Sequence, residues 1–141
     1  MNSTSEGDLF SEGLILVDLL ASFIATNGVN IATGFSIAQN LFKSKVVSIE
    51  SHSEFILFSS EDAIFSFLTS NSYPRGDYVS RLVASRICRS IEQINLQGGV
   101  IFIRQLRGAS GSYIRSRLLP LYGVGDTFIC TYFLLAGIGE F

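Results

Sequence analysis

The chain of 141 residues has no Trp, one His, one Met, two Pro and two Cys, and only 16% of its residues are charged. Each shortage closes off a class of protein. One histidine and two separated cysteines, Cys88 and Cys130, offer neither metal-ligand spacing nor a disulfide framework, and the cysteines read as buried, reduced thiols. The amino terminus carries Glu6, Asp8 and Glu12 without a basic residue, the opposite of a secretory leader. The run 14–25 (LILVDLLASFIA) is short for a membrane span of about 20 residues, and Asp18 interrupts it. A cytoplasmic chain with no membrane span is therefore expected. Apolar residues, by contrast, are plentiful. At 48% hydrophobic, with twelve Phe and five Tyr, the chain has ample surface to bury, which excludes disorder. So few charges over so much apolar surface point to a covered face.

The net charge of −2 is unevenly placed. Residues 1–62 hold eight acidic side chains against Lys43 and Lys45, which leaves −6; residues 75–117 hold eight arginines against Asp77 and Glu92, which leaves +6. Arginine suits bidentate, partly desolvated pairing with carboxylates and phosphates. The arginine half either pairs with the acidic half, within the chain or across a dimer, or forms an anion site.

Residues 14–25 read as a helix apolar almost all round, and 31–44 as a second helix with Phe35, Ala38 and Phe42 on one stripe. VVSIE (46–50) and EFILF (54–58), joined by a polar SHS, read as a hairpin. Ser59 three residues before Asp62 starts a short helix near 63–68, and Asp77 starts the strongest helix, to about residue 95. After Gly98-Gly99, three runs rich in β-branched and aromatic residues read as strands: 100–107, 112–122 and 127–138. GASG and GVGD then join them as hairpin turns. On this reading the Gly-X-Gly at 123–125 opens no helix, and turns account for the glycines without a phosphate cradle.

The expected fold is α+β: a five-stranded antiparallel sheet with helices on one face and an amino-terminal helical extension. From about residue 44 the order of elements resembles a PAS domain. KVVSIESHSEFILFSSEDAIFSFL resembles its opening hairpin and helix, DYVSRLVASRICRSIEQI its long helix, and RSRLLPLYGVGDTF its closing strands. Roadblock-type GTPase-regulating domains share a similar order. The resemblance implies a PAS-like domain over 44–141, a dimerisation cap over 1–43, and a small-molecule pocket inside the sheet.

No reaction is legible. His52 lies in a polar turn and reads as solvated; no nucleophile elbow and no paired acids mark a catalytic centre. Arg115 and Arg117, two apart on one strand face, with Arg104 on the preceding strand and Tyr113 beside them, form the candidate ligand site. They hold a small anionic ligand if that face is inside, or pair with Glu50 and Glu54 if it is outside. The expected function is non-enzymatic: a signalling or sensory module that regulates a partner protein in trans. It acts as a homodimer through Leu16, Leu19, Leu20 and Phe23. The alternatives are a carrier or sensor of an anionic ligand and a roadblock-type regulator. No nucleic-acid partner is expected, because the chain is acidic overall; no metal is expected, and the residues do not identify a cofactor.

Overall fold

A helix that is apolar on every side needs neighbours on every side, and most of residues 14–25 obtain them, with Leu14 left exposed. The computed structural model describes residues 4–49, 56–71 and 73–139. Helix α1 (Thr4–Ala25) packs against α2 (Ile31–Lys43), α4 (Gly76–Leu96), α5 (Val100–Leu106) and α7 (Asp126–Ala136). It approaches α2 closely: a Cβ on Gly34 would lie 3.2 Å from the Ala21 carbonyl oxygen, so a larger residue there would push the two helices apart slightly. Asn30 caps α2 by accepting from the Thr33 N–H at 2.8 Å. Across the bundle the Phe23 and Phe128 rings meet edge to face, centroids 4.6 Å apart.

Between α2 and α3 (Glu61–Ser70) lies the small sheet. Strand β1 (Ser48–Ile49) pairs antiparallel with β2 (Leu57–Phe58), with Ser48 opposite Phe58 and Ile49 opposite Leu57. The intervening turn, with His52, Glu50 and Glu54, lies outside the described residues. The Asn95 side chain of α4 satisfies β2 from the other side. It accepts from the Leu57 N–H and donates to the Leu57 carbonyl, both at 2.9 Å. Helix α3 starts at Ser60, which accepts from the Ala63 N–H, one residue later than Ser59. It is tied to α4 by Arg81, which contacts Asp62 at 2.9 Å and Glu61 at 3.4 Å and lies over the Phe65 ring. These pairs join the acidic front of the chain to its arginine middle.

The largest correction concerns residues 100–138. The expected three-stranded meander is three helices, α5, α6 (Gly111–Leu118) and α7, and the fold is predominantly helical rather than an α+β five-stranded sheet. Burial explains why. Val100, Ile103 and Leu106 are buried at steps of three, Ile114 and Leu118 at a step of four, and Phe128, Ile129, Tyr132 and Phe133 line one helical stripe. β-branched and aromatic content measures fit to a half-buried surface, and the partner here is a bundle of helices, not a sheet. Ser110 caps α6 by accepting from the Tyr113 N–H at 3.2 Å, so the glycine-bearing connections join helices, not strands. The meander on which the PAS and roadblock resemblances partly rested is absent, so the order of elements no longer supports a signalling or sensor reading.

The dimer cap needs correcting as well. Leu16, Leu19, Leu20 and Phe23 are between 1% and 5% exposed in a single chain. They form the core of the bundle and present no surface to a second copy, so nothing in the fold supports the homodimer. No helix among the described residues is long and apolar enough to cross a membrane.

Candidate functional site

The four residues expected to hold an anion do not converge. On a strand, positions 115 and 117 would share a face; on a helix they diverge by about 200°. Arg117 turns to α5, where it lies 4.7 Å from the Phe102 ring centroid and donates to Gln105 at 3.0 Å. Arg115 turns the other way and contacts Asp126 at 2.6 Å. Tyr113 sits partly exposed in the first turn of α6. Arg104 contacts Glu12 at 2.6 Å, and Glu12 is fully buried. That pair joins α1 to α5. The carboxylate has lost its water, so the arginine is part of the frame and not a ligand group.

A different arrangement gathers where α6 turns into α7. Residues 119–125 form a hairpin laid on one face of α4. Arg86, Arg89, Ser90 and Gln93 recur there at helical spacing. The Ser90 hydroxyl donates to the Tyr122 carbonyl at 2.8 Å, and Gln93 accepts from the Tyr122 N–H at 2.6 Å. The Arg89 guanidinium lies 5.0 Å from the Tyr122 ring centroid. Gly123 takes φ +77, and a Cβ there would lie 3.0 Å from Arg86 Cγ. The hairpin is thus held rigidly from below.

Its tip is open above. Tyr122, Gly123, Gly125, Asp126 and Thr127 are all exposed. Gly125 is the N-cap of α7 and has no side chain with which to cap it. The first N–H groups of an α-helix have no partner within the helix, and together they carry the positive end of its dipole. Asp126 stands in this turn, but Arg115 draws its carboxylate sideways. Arg86 bonds to the neutral Asn27 at 3.2 Å, and neither it nor Arg89 has a carboxylate partner among the described residues. Reading 127–138 as a strand hid this site, because it placed the Gly-X-Gly ahead of a strand. In sequence the apolar residues continue through Cys130, Leu134 and Leu135, so the helical spacing of 128, 129, 132 and 133 emerges only in the burial.

A cleft of about 280 Å³ lies at the other end of α7, between α1, the α5–α6 connection and the Ile138 segment. Its walls are mostly apolar, among them Ile15, Leu106, Ala109 and Ile138, and Asp18 enters it from α1. Burial pushes the Asp18 carboxyl up to about 6. The Tyr132 phenol, also in the lining, is raised by burial and then by the charge of Asp18, and so stays neutral. A larger groove of about 410 Å³ between α2 and α3 is lined by Thr33, Ser36, Asn40 and Asn71, with no charged group. Both cysteines are free: Cys88 is buried, with its thiol pushed up chiefly by burial, whereas Cys130 is exposed, contrary to expectation. No cluster of three metal-ligating side chains occurs among the described residues.

No family model, curated protein or solved structure matches the chain.

Proposed function

We propose that this protein binds the phosphodiester backbone of nucleic acid through the α6–α7 hairpin and the start of α7. The observation that carries the reading is the uncapped N-terminus of α7, presented on a hairpin locked to α4 beside two arginines without carboxylate partners among the described residues. A phosphate placed there would accept hydrogen bonds from backbone N–H groups and meet the positive end of the helix dipole. Arg86 and Arg89 would supply charge, and such contacts position a nucleic acid without reading its sequence.

The shape of the site favours a polymer over a free anion. A small anion in water needs converging donors in a recess, and the donors here stand on an exposed tip. An extended backbone brings several phosphates at once and gains by releasing its counterions. The expectation of no nucleic-acid partner rested on net charge; at this tip Asp126 is engaged by Arg115, and Arg86 and Arg89 supply charge without carboxylate partners among the described residues. The chain is read as a binding protein, and no reaction is assigned to it.

Binding to a labelled short DNA duplex, followed by fluorescence anisotropy across salt concentration, tests this. Affinity falls with salt, and each phosphate contact contributes a log–log slope of about −0.9. Arg89→Ala makes the slope shallower by about 1. Gly125→Asp is the sharper variant. Gly125 has φ −134 and open space around its Cβ position, so aspartate fits there and caps α7. The folded protein keeps or gains stability while DNA affinity drops about tenfold or more. Affinity unchanged in Gly125→Asp, or independent of salt, would overturn the proposal.

A further inference from the structure

The Asp18 cleft is separate from the hairpin and plays no part in backbone binding. Asp18 is half-buried on α1, and its carboxyl has no hydrogen-bond or ion-pair partner among the described residues. Ser22 bonds only to its backbone carbonyl. An unpaired carboxylate in an apolar surround is unfavourable, and folds seldom keep one without a use. Loss of water alone accounts for its raised pKa, and no neighbouring charge offsets it. Arg107 lines the same cleft but engages a partner of its own. At neutral pH Asp18 is therefore mostly ionised, facing a cavity whose other walls are nearly all apolar.

We propose that this cleft binds a small organic cation: an apolar body carrying one ammonium or amidinium group, which pairs with Asp18. The volume of about 280 Å³ lies just below the usual range for ligand pockets and admits a single ring or a short branched chain. Ile15, Leu106, Ala109 and Ile138 would enclose the apolar body. The Tyr132 hydroxyl, kept protonated, is a second polar group in the lining. The partnerless carboxylate selects for charge, because a cation restores what burial took from it and a neutral ligand does not. An anionic ligand, the class expected from the arginines, is repelled here.

Benzamidine and its neutral counterpart benzamide separate charge recognition from simple filling. Titrations followed by NMR chemical shifts of the 14–18 and 132–138 amides should show benzamidine binding about tenfold more tightly than benzamide. In Asp18→Asn the two bind alike and weakly. Ala136→Leu, at an exposed position of the lining, narrows the cleft with Asp18 in place and weakens both ligands. Equal affinity for the two ligands in the natural chain, or benzamidine affinity unchanged by Asp18→Asn, overturns the proposal. Neither outcome bears on DNA binding at the hairpin, because the cleft and the hairpin share no residue.

Discussion

Glu12 and Asp18 are both acidic residues on α1, and the fold treats them in opposite ways. Glu12 is fully buried and paired with Arg104 at 2.6 Å; Asp18 is half-buried and has no partner among the described residues. In sequence the two look alike, as single charges that interrupt an apolar stretch. What separates them is the position of α5, which brings Arg104 across ninety-two residues to one and not the other. The consequence for Asp18 is measurable. Its carboxyl is raised from 3.8 to about 6, so the folded state holds the proton more tightly than the unfolded state. Its contribution to stability is therefore lost as pH rises from about 4 to about 6, and the penalty is complete above that window. Asp18→Asn carries no such penalty. Thermal unfolding of the two proteins should coincide near pH 4 and diverge with rising pH, the variant melting higher, until the gap levels off above pH 6. A gap that does not change with pH contradicts this account.

At the scale of elements, the amino-terminal helices were readable and the carboxy-terminal ones were not. α1, α2 and α4 have length and apolar stripes, and α1 and α4 have clear stops at Asn27-Gly28 and Gly98-Gly99. α5 and α6 have only seven and eight residues and cover about two turns each, too few for a period to stand out against β-branched content. α7 is apolar on several sides, like α1, and a short apolar run does not distinguish a buried strand from a buried helix. Its glycine hairpin was visible but was assigned to the wrong pair of elements. That hairpin also gives a prediction at this scale. Gly123 at φ +77 packs against the Arg86 side chain, so Gly123→Ala is both strained and crowded. It should cost about 1–2 kcal/mol in urea unfolding and loosen the hairpin enough to weaken DNA binding. Gly125→Ala, with open space at its Cβ position and negative φ, should cost much less.

For the whole molecule, the apolar excess that suggested a covered face is used inside one chain. α1 runs through the middle of the bundle, and its buried side chains join those of α2, α4, α5 and α7 in one continuous core. Leu20, 1% exposed, is surrounded on all sides. Leu20→Ala should cost about 2–5 kcal/mol, a large part of the stability of a domain this size, measured by chemical denaturation. Had this face been a dimer interface, the same substitution would weaken association and leave the folding of each chain nearly intact. Concentration-dependent unfolding of Leu20→Ala, with unchanged monomer stability, contradicts the single-chain core.

The amino-acid sequence alone determined the buried character of residues 14–25, the long helix to residue 96, the separation of acidic front from arginine middle, and the turn at 123–125. Each follows from local chemistry: period, caps, charge and glycine. Only the tertiary structure decided that residues 100–138 are helices, that Arg104 belongs to Glu12, and that Arg115 and Arg117 face apart. It also decided that Asp18 stands without a partner among the described residues, while the start of α7 is left open to solvent. The reason is the same in each case. A short apolar segment takes its conformation from the surface it packs on, and a charge takes its role from the groups that packing brings near.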